Sequence, residues 1–300
     1  MKFLHQDIPQ HLNYSSHINF KKLFFVVETS VIVIVAILLT YYRLILDGPT
    51  NFWVLVFFAM GFGLALMDSS MAMGYGTIGT PLLLLLGFSP RIVVPSILIS
   101  QTFGAFTASV VHHANRNVNY LDFKGSDFGI LARFLVLGII GVVIAMILII
   151  QISKTAISVY IGALLITMGF TLLLNPSFKF SWLKVSFVSL ISGFNKAISG
   201  GGYGPVATAG LLISGNPPRQ SVGITLFSVA VINSVAFVGW SMTKTLTSFE
   251  LPIFLIVGSL FGSQVGPFIT RKANPYRSRI IFACVATVLG CITIITTLFK

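Results

Sequence analysis

An acid and a base, Asp68 and Lys196, interrupt two apolar stretches of this chain and stand 128 residues apart (196 − 68). Ionisable groups in such surroundings are costly, and they either pair with each other or mark substrate and proton pathways. Two readings follow. In one, Asp68 and Lys196 form a bridge that holds two parts of the chain together. In the other, Lys196 is the counter-charge of an anion and Asp68 carries a proton. A bridge that breaks during a transport cycle satisfies both.

Glycine supplies the second chemical signal, because Gly74-Tyr75-Gly76 recurs as Gly202-Tyr203-Gly204 at the same offset, the latter preceded by Gly200 and Gly201. Glycine lets a ligand approach the backbone, and the N–H groups that open the next half-helix attract anions without a lysine. Close helix packing accounts for Gly138, Gly141, Gly258, Gly262 and Gly266. At the two Gly-Tyr-Gly sites a binding role is preferred. The candidate contacts of a small ligand are therefore Lys196, Asn195, Gly74, Tyr75, Gly76, Thr77, Ser100, Gly201, Gly202, Tyr203, Gly204 and Ser228, with Asp68 as the proton-coupling group. Gln101, Asn233, Thr80 and Thr208 are further polar side chains in apolar runs, each also explained by an interhelical hydrogen bond. Tyr75 and Tyr203 could gate, donate hydroxyls or pack.

Other chemistries lack their residues. Positions 74–79 match Gly-x-Gly-x-x-Gly, but Pro81 and a leucine run follow where a dinucleotide site needs its helix and acidic ribose ligand. His5, His11 and His17 recur at a spacing that fits neither a helix face nor a strand face, so they read as part of a polar tail. Cys284 and Cys291 lie in the last apolar run as small hydrophobes, and His112-His113 reads as an interfacial anchor beside Arg116. No cofactor or metal is expected. A membrane-embedded enzyme would need a nucleophile–base or metal constellation that is not apparent, and no Walker-type loop supports an ATP-driven pump.

The elements that must position these groups are membrane helices. The chain is 55% hydrophobic and 9% charged, with a mean hydropathy of +0.95, far from a soluble domain. Its apolar runs at 29–42, 52–67, 92–111, 134–150, 156–174, 220–239, 251–269 and 280–299 approach the ~20 residues that cross a bilayer, with none of the alternation of a barrel. The fold class is all-α and polytopic. A polar tail (1–22) and an additional helix (23–46) precede two repeats, 51–174 and 181–299, whose alignment also matches Gly87 with Gly215, Pro90-Arg91 with Pro218-Arg219, and Gly138 with Gly266. The net charge of +12 is spread over short loops, which argues against nucleic acid. Placing the N-terminus in the cytoplasm puts Lys2, Lys21, Lys22, Arg116, Lys124, Lys179, Lys184, Arg219, Arg271, Lys272, Arg277 and Arg279 inside, against Arg43, Arg91, Lys154, Lys244 and Lys300 outside.

Each repeat opens with a glycine-broken pair of runs covering on the order of 50 Å of helix, too long for one crossing of a ~30 Å core. The pair crosses twice or dips in and returns, so each repeat makes an odd number of crossings and the second is inverted. Seven to eleven crossings are expected. A re-entrant pair sets Asp68 and Lys196 deep in the membrane, whereas two crossings set them near a surface.

The stretch from Gly61 to His113, with Asp68-Ser69-Ser70, Met73-Gly74-Tyr75-Gly76, Thr80-Pro81 and Gly87-Phe88, and its partner Gly193-Phe194-Asn195-Lys196 through Pro205, resembles the sulfite exporter TauE/SafE family. In the first copy Met73 and Tyr75 interrupt the triple glycine. The resemblance implies a multi-pass permease of the cytoplasmic membrane for sulfite, sulfonates or related small anions, built from two inverted halves. The expected function is secondary transport of a small anion at the two glycine breaks. A non-transporting membrane scaffold or assembly factor is the competing reading. Expected partners are that anion and the lipid bilayer, with a homo-oligomer left open.

Overall fold

The computed structural model describes residues 51–122, 126–149, 151–174, 182–213, 216, 218–243, 249–269 and 275–299, all of them in helices or their connections. The expected tail and additional helix lie outside the described residues. In chain order the helices are α1 (Asn51–Met71), α2 (Tyr75–Leu85), α3 (Pro90–Ala114), α4 (Ser126–Ile149), α5 (Lys154–Leu174), α6 (Trp182–Ser199), α7 (Tyr203–Ile213), α8 (Pro218–Met242), α9 (Glu250–Ile269) and α10 (Pro275–Leu298). Six of them are long and apolar enough to cross a membrane. The chain is an all-α polytopic membrane protein.

α2 and α7 are each 11 residues long. At 1.5 Å per residue each covers roughly half of a bilayer core. Both follow the same backbone break. α1 ends in Ala72 at φ 51° and Gly74 at φ 125°, and α6 ends in Gly200 at φ 68° and Gly202 at φ 81°, the same two positions at the 128 offset. Two left-handed residues within three positions stop the helix and reverse the chain. α2 then runs back along α1: the Tyr75 N–H points at Asp68, and a Cβ on Gly79 would meet Leu64. Three of these four positions are glycine because an L side chain there is strained. Ala72 carries that strain.

The two halves touch reciprocally. A Cβ on Gly76 would stand 1.7 Å from the Gly200 carbonyl oxygen, and one on Gly204 would stand 2.0 Å from that of Ala72. These are the same contact with the repeats exchanged, which is the property of a two-fold rotation. The helix pairing obeys it as well: α1 packs on α9 as α6 packs on α4, while α3 packs on α8 and α5 on α10, each against its own counterpart. Both self-paired couples run antiparallel. Gln101 meets Asn233 while Phe106 meets Phe227, and Gly162 lies against Gly290 while Gly169 lies against Ala283. Glycines permit the tight approaches, since Gly258 and Gly262 of α9 lie directly on the Phe58 and Phe62 carbonyls of α1.

Candidate substrate site

The two breaks and the crossing of α3 with α8 converge on one buried polar cluster. Asp68 and Lys196 are 4% and 2% exposed, which removes both from solvent. Gln101 stands between them. Its Nε2 donates to Asp68 Oδ2 at 2.6 Å, and its Oε1 accepts from Lys196 Nζ and from Asn233 Nδ2, the latter at 3.3 Å. The acid and the base thus meet through an amide instead of as a bare ion pair. Lys196 Nζ also donates to the Gly200 carbonyl at 2.5 Å, and the Tyr75 N–H points at Asp68 Oδ1 at 3.5 Å. Gln101 is the twelfth residue of the 25-residue α3. The cluster therefore sits near half-height of α3.

The two breaks differ in charge. Asp68 brings a carboxylate to the amide end of α2, which favours negative charge. The aligned residue of the second half, Lys196, instead sits in the last turn of α6 and donates to the Gly200 carbonyl, the end of a helix that favours positive charge. Thr80 Oγ1 beside Gly200 and Asn233 Oδ1 beside Gln101 are buried without a hydrogen-bond partner. Buried polar atoms of this kind are rare enough to require a reason.

Of the sequence-predicted residues, Gly76, Gly201 and Gly204 form the contact between the breaks, and Gly74 and Gly202 supply left-handed turns. Thr77 Oγ1 reaches the Gly202 N–H across the halves at 3.4 Å. Asn195 faces away, its Oδ1 accepting from the Tyr160 hydroxyl of α5. Tyr75 and Tyr203 are buried; the Tyr75 hydroxyl donates to the Leu255 carbonyl at 3.3 Å, and the Tyr203 hydroxyl has no partner. Ser100 and Ser228 bond back to Ser96 and Ile224 in their own helices.

A second pair of groups was not evident from the residue types. The ring of His112 meets the Ser69 carbonyl at 2.9 Å through Nε2, and Trp240 Nε1 donates to the Ala197 carbonyl at 2.8 Å. The offset aligns both members of each pair, His112 with Trp240 and Ser69 with Ala197. Each carbonyl sits in the last turn of a broken helix, where its usual amide donor is lost. Asn117 Nδ2 donates to His112 Nδ1 at 3.0 Å, which leaves Nε2 as the N–H that caps Ser69. The expected interfacial anchoring of this histidine pair does not occur. His112 is fully buried, and His113 meets the Val118 carbonyl at 3.2 Å while stacking on Tyr120. Arg133, which lies in an apolar run, is held 3.7 Å over the Trp182 ring.

The end of the α3–α8 crossing nearest Ala114 is shut by aromatic side chains. Tyr120 packs on Phe227 at 4.9 Å between centroids and donates to the Gly223 carbonyl at 2.7 Å. Burial in this connection pushes the Tyr120 phenol well above its ordinary value, so the hydroxyl stays a donor at physiological pH.

A family model described as "Sulfite exporter TauE/SafE" matches residues 57–293. The "Probable membrane transporter protein YtnM" of Bacillus subtilis (strain 168) is 27% identical over 240 residues, which cover 74% of this chain and 76% of that protein. No solved structure matches significantly.

Proposed function

The chain belongs to the sulfite exporter TauE/SafE family and is a membrane transporter; from that premise we propose that it moves a small anion, sulfite or a sulfonate, through the meeting point of its two glycine breaks. The observation that carries the reading is Lys196, buried at the second glycine break and hydrogen-bonded through Gln101 to Asp68. With Asp68 charged the cluster is neutral. When Asp68 takes up a proton it carries one net positive charge, and an anion restores neutrality at the lysine. This exchange couples a proton to each anion.

Inverted halves, 51–174 and 181–299, complete the proposal. A two-fold axis that reverses the direction of α3 into α8 and of α5 into α10 lies across the helices, hence in the membrane plane when those helices span it. The halves then offer the same break to opposite faces. Alternating access requires this, and N-in topology in the cytoplasmic membrane follows from the loop charges.

The experiment is radiolabelled sulfite flux into proteoliposomes, with sulfonates and small carboxylates as competitors, for wild type and Lys196→Ala. Competed flux that the variant lacks while remaining folded is the expected result. Absence of flux for every anion, from protein shown to be folded and inserted, would return the scaffold reading. Equal loss of folded protein and of flux in Lys196→Ala would make the lysine structural.

A further inference from the structure

Lys196 lies among more oxygen atoms than its ammonium uses. Nζ donates to the Gly200 carbonyl at 2.5 Å and to Gln101 Oε1. Thr80 Oγ1 lies 3.1 Å from where a Cβ on Gly200 would stand, and Asn233 Nδ2 is 3.3 Å from Gln101 Oε1. Thr80 is 1% exposed and Asn233 0%, yet Thr80 Oγ1 and Asn233 Oδ1 have no hydrogen-bond partner. Two orphaned oxygens beside one buried ammonium point to a further ligand, a cation or a water.

The acceptors are presented by the surrounding structure, not by the lysine alone. Ionised Asp68 only accepts, so it turns the Gln101 amide N–H towards itself and the Gln101 oxygen towards Lys196. Gly200 follows α6, and its carbonyl belongs to the end of a broken helix, where positive charge is favoured and where broken helices hold coupling ions. Duplication does not account for the side chains. At the offset Val229 and Ala105 stand in place of Gln101 and Asn233, and Thr208, the counterpart of Thr80, donates to Thr225 Oγ1 at 3.1 Å.

We infer that Gly200 O, Gln101 Oε1, Thr80 Oγ1 and Asn233 Oδ1 form a binding site for an alkali-metal cation, which replaces the Lys196 ammonium when the lysine turns to a bound anion. Neutral oxygens suit a hard ion, and among the described residues no three His, Cys, Asp or Glu side chains gather as a transition metal would need. Asp68 gives the cluster one negative charge, so Asp68, Lys196, the anion and one monovalent ion sum to zero. A divalent ion would leave a buried charge uncompensated. The inference rests on the proposed anion site, because the anion is what draws the lysine away. The cation then supplies the positive charge that a proton on Asp68 supplies in that exchange. Without a replacement, the Gly200 and Gln101 oxygens would be stranded in the core.

The test measures binding of radiolabelled sulfite to the purified protein in micelles, with sodium chloride exchanged for choline chloride at constant pH and ionic strength. The thermal unfolding midpoint is followed in the same salts, and lithium and potassium are run in parallel. At least one alkali ion should tighten sulfite about fivefold or more, and sulfite should tighten that ion by the same factor. Thr80→Val removes a hydroxyl that bonds to nothing else, so its midpoint in choline should be no lower than that of wild type while the ion's effect on sulfite is lost. Thr80→Ser should keep that effect. Lys196→Met removes the competing ammonium, so the ion should raise the midpoint of this variant without any anion, and adding Thr80→Val should cancel the rise. Wild type and Thr80→Val carry the test if Lys196→Met does not fold. Sulfite binding and midpoints that are the same in all four salts overturn the site. An ion effect that survives Thr80→Val overturns it too, placing a water beside the lysine and the ion elsewhere. Stabilisation of Lys196→Met by the ion, in a protein that binds no sulfite in any salt, removes the anion reading alone. Sulfite flux that competitors block but no alkali ion alters, with Lys196→Met equally indifferent, removes the cation site alone.

Discussion

Gln101→Leu removes the amide that joins the two buried charges while keeping a side chain of similar bulk. Wild-type Gln101 makes two hydrogen bonds to charged groups, Asp68 and Lys196, and a third to Asn233. Bonds to charged groups contribute about 1.5–3 kcal/mol each and a neutral one about 0.5–1.5. These values are not additive in a shared network, and stranding a buried charge costs about 3–5 kcal/mol. A loss of about 3–5 kcal/mol is therefore expected, read as the shift in the unfolding transition of the purified protein in micelles. Sulfite flux in proteoliposomes should be abolished. A companion, Asp68→Asn with Gln101→Leu and Lys196→Met, leaves no uncompensated charge and should regain most of the stability and none of the flux. A cost for Gln101→Leu below about 1 kcal/mol, or a triple variant no more stable than the single one, would refute the amide-bridged cluster.

Gly76→Ala and Gly204→Ala each drive a Cβ into a backbone carbonyl of the opposite half, so both should lose folded, membrane-inserted protein to a similar degree, scored by gel filtration of detergent extracts. A normal yield for either would contradict the reciprocal contact. Ala72→Gly relieves a left-handed alanine; it should raise stability by up to about 1 kcal/mol, the gain being trimmed by the entropy of glycine in the unfolded chain. A fall in the unfolding midpoint would count against that backbone. Asp68→Asn holds the cluster in a charge state that no longer changes with protons, so anion binding should persist while dependence of uptake on a pH gradient disappears. A surviving gradient dependence would exclude Asp68 as the coupling group.

The pattern of the chain was legible where physics repeats itself. The 128-residue offset located both breaks, but the glycines at 74, 200 and 202, read there as points of ligand approach, serve in the backbone as left-handed turns. Asp68 and Lys196 stood out because charge is rare in apolar runs, and they do converge. What was not legible is how they converge. Gln101 is one of several polar residues on spanning helices, and nothing in its own segment marks it as central; its counterpart at the offset is Val229. The capping role shared by His112 and Trp240 was not legible for a related reason. Their shared feature is a ring N–H aimed at an orphaned carbonyl, which comparison of residue identities does not detect. Ser100 and Ser228 matched in identity and position, yet each hydroxyl bonds within its own helix, as serines in spanning segments commonly do.

The differences between aligned residues follow from the symmetry itself. A side chain at position 68 lies one glutamine away from its own counterpart at 196. Two carboxylates or two ammonium groups there would bury like charges, an arrangement that forces one of them neutral. A strictly repeated sequence is thus excluded at the centre of a two-fold fold, and the acid must sit in one half with the base in the other. Once that is fixed the halves are not chemically equivalent: the Asp68 carboxylate faces the Tyr75 N–H at the start of α2, while the Lys196 ammonium is held on the Gly200 carbonyl at the end of α6. Exchanging the pair by Asp68→Lys with Lys196→Asp preserves neutrality and tests this. The fold should survive, and the residue whose alanine variant abolishes anion binding should move from position 196 to position 68. Binding that stayed dependent on position 196 would mean that the site is defined by something other than its charge.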